Sequence, residues 1–485
     1  MRSHEPLELD SSRRGSGQRL LPVVCLLGVA GLGCTPSIAD DPVPDEMQFD
    51  TEVSPQRVPE PSGLIVSPTT GHLDFSLAGT LVPADCTQPG AVPEAQCEFL
   101  TYLQSLDGYP TSSHARAPTT AAALVPSTLT VGENVVVVDA SGAAITGIQA
   151  AFDPVARYVT VAPDAQRRRW TVGTSYWLAI RGYATGVRSE PADGTGSPAA
   201  TAAGNEIVAS PTQFLLKQES ALTCGVSTPA ELTTTCPAFE LLDQPPRTPA
   251  AAAAAVFQLE QIRAAYVALG AWDRIAAAGL PKDEVAILWG FPIHSGSVAE
   301  LDPTAGIVPQ ITGADEIHVG VQGSVDPATV TPFIVAKALG SVVVMDLTAA
   351  AAGDLVAGFP PVAASYVPTS VAGGDTVDGN IVIKATAPFV PGHQYGIFLQ
   401  NTLHNTAGQP LVPAPVSKLL TLRGALVDAG GHSTVSAVGD TDAAALEVGR
   451  QGLAALFNDP TFSALTGISR DSLVYCYAFP FPVMQ

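Results

Sequence analysis

Positive charge is what this chain has least of: 23 Lys and Arg stand against 45 Asp and Glu over 485 residues, a formal net charge of -22. With no Lys/Arg cluster to reverse that sign, electrostatic attraction to an anionic bilayer or to nucleic acid is not expected. The acidic excess reads as solubility at a cell exterior, since no loop of alternating Asp and Asn around a glycine offers an EF-hand-type calcium site. Recognisable reaction chemistry is missing too. No GxSxG elbow occurs; the nearest approach, Gly431-His432-Ser433-Thr434-Val435, lacks the second glycine and reads as a polar loop. His72, His114, His294, His318, His393, His404 and His432 show no HExxH spacing and no paired ligands, and neither GxxxxGK[ST] nor a strand-borne GxGxxG is found. His294, in FPIHSGS, is the most interesting of them. No catalytic residue, metal ligand or cofactor is therefore assigned, and an enzyme is not expected.

Long apolar runs are also scarce. The one that stands out, LLPVVCLLGVAGLG from Leu20 to Gly33, follows Arg2, Arg13, Arg14 and Arg19 and has the length of a secretory h-region rather than of a membrane span. Residues 1–33 are expected to be a signal peptide. The run ends GLGC, which resembles a bacterial lipoprotein signal; the resemblance implies that Cys34 becomes the lipid-bearing N-terminus and that the membrane is a partner through that lipid. Thr35, where an aspartate would mark inner-membrane retention, favours the outer membrane or cell surface. Residues 34–60 are acidic, Pro-rich and without apolar periodicity, so they are expected to be a disordered tether.

Seven cysteines fit an exported protein. Cys25 leaves with the signal and Cys34 is acylated; Cys86 with Cys97 and Cys224 with Cys236 form two close pairs in polar, Pro-rich loop contexts, expected to be local disulfides. Cys476 lies in an apolar run, where a buried inert thiol is expected. The run Arg167-Arg168-Arg169 is expected to be a solvated turn before Trp170.

What the chain does have is repetition. GLPKDEVAILWGFP, from Gly279 to Pro292, returns as GISRDSLVYCYAFP, from Gly467 to Pro480. Val285, Ile287, Trp289 and Phe291 share one side of an extended segment, and Leu473, Tyr475, Tyr477 and Phe479 match them. Before each phrase an amphipathic helix is expected: one starts at Thr248-Pro249, with Val256, Leu259, Ile262, Tyr266 and Leu269 as its stripe, and the other starts at Asp440 or Thr441, with Leu446, Leu453, Leu456 and Phe457. LEQIR (259–263) answers LEVGR (446–450), VVVVD (135–139) answers VVVMD (342–346), and WTVGTSYWLAI (170–180) answers FVPGHQYGIFL (389–399). Upstream of each helix the chain is a series of short apolar runs divided by Gly, Pro and Asp. With 44 Gly, 42 Pro and 14% charged residues, that points to a mainly β protein: two tandem Ig-like antiparallel β-sandwich modules, each followed by an amphipathic α-helix. The expected boundaries are 61–245 for the first sandwich, 246–283 for its helical connector, 284–435 for the second sandwich, and 436–485 for the second connector and terminal strand.

The valine-rich strand, turn and PGHQYGIFL resemble bacterial Ig-like domains of the S-layer type. Together with LEQIRAAYVAL and DEVAILWGFPI, over roughly residues 61–483, they resemble the N-terminal region of the bacterial virulence-factor lipase family, in which such modules precede an α/β-hydrolase domain. Two readings follow. The first is a non-catalytic cell-surface lipoprotein whose modules serve binding, adhesion or spacing toward an unknown surface ligand or partner protein. The second is the presenting region of such a lipase, its hydrolase missing or separately encoded. A hydrolase with a dispersed site ranks below both.

Overall fold

The computed structural model describes residues 44–480 apart from 52–56, 89, 91, 166, 191–203, 244–246, 304–305, 313–314, 335–339, 355–357 and 370–377. The signal peptide, Cys34 and most of the Gly- and Ala-rich stretch around 191–203 lie outside the described residues. In chain order the first half carries β1 (Asp45–Met47), α1 (Glu94–Gln104), β2 (Ala115–Pro118), β3 (Val135–Asp139), β4 (Ile148–Asp153), β5 (Tyr158–Pro163), β6 (Ser175–Arg181), β7 (Arg188–Ser189), β8 (Asn205–Ala209), α2 (Pro211–Leu216), α3 (Pro237–Leu242), α4 (Pro249–Ala268), α5 (Ala271–Ala277) and β9 (Val285–Pro292). The second half carries β10 (Val298–Ala299), β11 (Gln310–Thr312), β12 (Glu316–Gln322), β13 (Val342–Asp346), α6 (Leu347–Ala351), β14 (Val362–Pro368), β15 (Gly379–Ala385), β16 (Gln394–Gln400), β17 (Val412–Pro413), α7 (Pro415–Thr421), α8 (Asp440–Asn458), α9 (Pro460–Thr466) and β18 (Leu473–Pro480). The sheets are small and, apart from two short parallel pairings, antiparallel. Helix and strand each take 29% of the chain, so there is more helix than a mainly β reading expects.

The repetition is topological as well as textual. One sheet runs β2-β5-β4 and its counterpart contains β12-β15-β14; a second runs β3-β6-β9 and its counterpart β13-β16-β18. Val135 pairs with Ile180 as Val342 pairs with Leu399, and Asp139 with Tyr176 as Asp346 with Tyr395. Even the irregularities match: the ladder slips between Ile180 and Arg181 opposite β9, and between Leu399 and Gln400 opposite β18.

Each pair of sheets shares one hydrophobic core, an arrangement compatible with a β-sandwich. The burial pattern explains why its strands read as they do. β4, β14 and β15 alternate because one face meets water, whereas β3, β9, β13 and β16 are buried almost throughout. The latter sheets are covered on both faces, by the partner sheet and by helices, so VVVVD and VAILW are continuous apolar runs rather than alternating ones. Tyr266 of α4 marks the contact: its hydroxyl donates to Leu288 O and its ring meets Trp177 edge-on.

The helices are inserted between β6 and β9 in the first repeat and between β16 and β18 in the second, rather than appended after it. β9 is hydrogen-bonded to β6, so Val285–Pro292 closes the first repeat, and the boundary expected at 284 falls after Pro292. Thr248 caps α4 through Ala251 N, with Pro249 in its first turn, and Val256, Leu259, Ile262 and Tyr266 are buried; Leu269 is exposed. In α8 the cap is Gly439, not Asp440 or Thr441, and its stripe is only half-buried.

Part of the expected tether is folded. Asp45–Met47 pairs in parallel with Ile207–Ala209, and Met47 and Phe49 are at most 1% exposed, because two apolar side chains at alternate positions insert into the first core. The expected disulfides are present, Cys86 with Cys97 and Cys224 with Cys236. Their setting differs from the loops anticipated: Cys97 is a buried residue of α1, and Cys236 is the buried N-cap of α3.

Candidate functional site

Three polar constellations stand out. The first is the junction between repeats. Arg169, in the loop before β6, lies 3.1 Å through Nε from Glu300 Oε2 and 3.0 Å through Nη2 from Asp302 Oδ2, both just past β10. Thr111 Oγ1 donates to Glu300 Oε1 at 2.9 Å. Arg169 and Glu300 are each 3% exposed, so the arginine expected to be solvated is instead the buried link between repeats. Burial raises the pKa of Glu300, and Arg169 and Thr111 act against that. Nearby, Val172 N donates to the buried Gln322 Oε1 at 3.0 Å. His294 is 2% exposed, its pKa pulled down to about 4 by burial, and its backbone N–H donates to Tyr109 O. Its buried Nδ1 has no hydrogen-bond partner among the described residues.

The second constellation is a repeated clamp. In α4, Arg263 bonds the Glu260 carboxylate and donates through Nη1 to Gln218 O and Glu219 O, while Glu260 Oε2 accepts Leu222 N at 2.8 Å. In α8, Arg450 bonds Glu447 and donates to Leu422 O and Arg423 O, while Glu447 Oε2 accepts Leu426 N at 2.8 Å. The ExxR spacing puts both charges on one helical face, and each pair grips the turn that follows α2 or α7. Arg450 holds Glu447 down to about 2 despite burial.

The third is a clasp across the molecule. Phe99, Tyr102 and Leu106, on and just after α1, join Leu419, Leu422, Leu426, Val435 and Ala443 in one buried cluster. Glu98 reaches into the gripped turn: its Oε2 accepts Arg423 N at 2.8 Å and Gly424 N at 3.2 Å, and Oε1 accepts Arg423 Nη1 at 3.2 Å. Gly424 allows this approach, since a Cβ there would run into the backbone of Ala95. Tyr102 Oη donates to Pro413 O at 2.7 Å. Thus a helix that precedes the first repeat seals the helices of the second, whereas α3 covers the corresponding helices, α2 and α4, within the first core.

A last shared feature lies at the start of β6 and β16. Tyr176 Oη accepts Thr171 N at 3.0 Å and Tyr395 Oη accepts Val390 N at 2.9 Å, each five residues back along the chain. Trp170 and Phe291 flank the first tyrosine as Phe389 and Phe479 flank the second.

None of these constellations aligns a nucleophile with a base. Ser433 Oγ donates to Val435 O, while His432 Nδ1 lies 3.0 Å from Asp440 Oδ2 on an exposed turn. His393 Nδ1 lies 2.7 Å from Asp346 Oδ2, a carboxylate that the Tyr395 hydroxyl also bonds. Burial pushes the Cys476 thiol up to about 12, which leaves it protonated and inert. Among the described residues no group of three His, Cys, Asp or Glu is placed to hold a metal ion, and no helix is long and apolar enough to cross a membrane. The junction and the clasp were invisible in sequence because their partners lie 131 and 325 residues apart; only the ExxR repetition signalled the clamp. No protein-family model matches the chain, and no curated protein is similar to it in sequence.

Proposed function

We propose that the chain is a non-catalytic lipoprotein of the cell surface, anchored by a lipid on Cys34, whose two Ig-like modules form a stiff body for spacing, adhesion or binding. The observation that carries this reading is the doubled pair of sheets locked together at two places, by the Arg169–Glu300 pair and by α1 on the second helical insert. A body tied twice holds a fixed length and direction, which is what a spacer requires and a hinged enzyme does not. The Ig-like assignment of each repeat is supported by its sheet orders and by Tyr176 and Tyr395, which bond back to the upstream backbone in the manner of a tyrosine corner.

The second reading, the presenting region of a virulence-factor-type lipase, is favoured by the helix pair inserted ahead of each closing strand, because LEQIR, LEVGR and the doubled phrase carry that resemblance. Fractionation of cells expressing the full chain and its Cys34→Ser variant tests the anchor. Release of the variant from membranes is expected, and unchanged retention would refute it. A GHSxG-bearing hydrolase encoded beside this chain would favour the second reading. Ester turnover by the purified chain would overturn the non-catalytic one.

A further inference from the structure

The two gripped turns are equivalent, yet only the second holds a carboxylate. Matching the clamps places Gln218, Glu219, Ser220 and Leu222 on Leu422, Arg423, Gly424 and Leu426. In the second repeat the N–H groups of Arg423 and Gly424 converge on Glu98. In the first, the corresponding N–H groups of Glu219 and Ser220 donate to no atom among the described residues. Glu219 and Ser220 themselves line an open cleft of about 810 Å³ with Tyr183, Phe214, Lys217, Gln218, Lys282 and Asp283. Two of the chain's five lysines are therefore gathered here, in a protein of net charge -22.

We propose that this cleft is a binding site for a carboxylate, received by Glu219 N and Ser220 N as Glu98 is received in the second repeat and balanced by Lys217 and Lys282. Lys217 is already held in place to meet an anion. Its ammonium donates to Tyr183 Oη and to Asp283 O, both at 3.2 Å, and keeps a third N–H to offer. Desolvation pulls its pKa down to about 8, with Lys282 acting in the same direction and Asp283 against it, and an arriving anion favours the charged form. Among the described residues the Lys282 ammonium is placed against one ring, 5.6 Å from Trp272. Tyr183, held at a φ of 58°, and the half-exposed Phe214 supply apolar surface for the body of the ligand. Glu219 and Asp283 also lie on the rim. Asp471, the counterpart of Asp283, stands on the same rim in the second repeat, where Arg423 bridges it to Glu98; Lys217 takes that part in the first. Glu219, opposite in sign to Arg423, weakens the site for an anion.

The carboxylate can be a free acid or a glutamate presented by a polypeptide, and calorimetric titration of the full chain separates them. Glutarate is one probe; an alanine-based helical peptide with one glutamate, and the same peptide with glutamine, are the others. Saturable binding of glutarate as tight as that of the glutamate peptide identifies a free-acid site. Tighter binding of the glutamate peptide, lost in the glutamine version, identifies a protein side chain. In either case Lys217→Gln with Lys282→Gln should weaken binding at least tenfold while the amides of Glu219 and Ser220, which shift with ligand in the parent, stay still. No saturable binding by any probe, or binding that the double variant leaves unchanged, would overturn the proposal. The test does not depend on membrane anchoring and is unaffected by failure of the anchor.

Discussion

Replacing Arg169 with methionine removes the positive partner of a carboxylate that is 3% exposed and keeps the volume of the junction filled. Glu300 then keeps its bond from Thr111 and has Asp302, no longer bridged by Arg169, as a like charge beside it. Removing one member of a buried ion pair costs about 3–5 kcal/mol, because the surviving charge keeps its desolvation penalty without compensation. The sign with pH follows from the direction of the Glu300 shift. Burial raises its folded pKa above the ordinary value, and in the variant the opposing pull of Arg169 is gone. A raised acid leaves stability intact below its unfolded pKa and loses it as pH rises through the folded one. The deficit of Arg169→Met should therefore be small near pH 4 and grow to its full size at pH 7.5. His114, whose pKa is lowered by burial and by Arg116 and Arg169, should titrate higher in the variant and adds a smaller contribution of its own. Urea unfolding of parent and variant at both pH values measures this. A deficit under about 1 kcal/mol at pH 7.5, or one equal at both pH values, would refute the reasoning that this pair is buried and holds the repeats together.

Other perturbations have equally definite outcomes. Glu447, held near 2, contributes stability above its unfolded pKa of about 4.5 that is lost as pH falls toward 2, about 3 kcal/mol in all; Glu447→Gln should erase that part of the acid sensitivity seen in urea unfolding. Cys86→Ser with Cys97→Ser should lower stability by about 2–3 kcal/mol and speed proteolysis within 94–104, since the bridge anchors α1. Tyr176→Phe and Tyr395→Phe, read by thermal melts, should each cost about 1 kcal/mol, because each hydroxyl accepts a backbone N–H from five residues back.

The repeated phrase could be read as a strand because its apolar residues and terminal proline are local properties, and the strands are where they were expected. The opposite face is covered as well: Ala286 and Leu288 are as buried as Val285 and Ile287, because helices lie on the outer face. Which strand the phrase pairs with is a long-range fact, settled by β6 and β16, and a linear reading therefore handed β9 to the wrong repeat. α1 was hidden for a similar reason. Phe99 and Tyr102, with Leu106 just beyond it, sit in a Pro-flanked, disulfide-bearing stretch, and the surface they cover is more than 300 residues away. Arg169 shows the opposite error: three arginines in a row suggested solvent, yet one carbon stem long enough to reach Glu300 turned inward while Arg167 bonded Thr171 and Tyr176.

The distance between a spin label on the turn at Val155, 93% exposed in the first repeat, and one at Val367, 49% exposed on β14 of the second, tests most directly whether the two repeats form one stiff body. Dipolar spectroscopy should return a single narrow distance distribution that broadens when Arg169→Met is combined with Cys97→Ser. A broad or multimodal distribution in the parent chain would contradict the account.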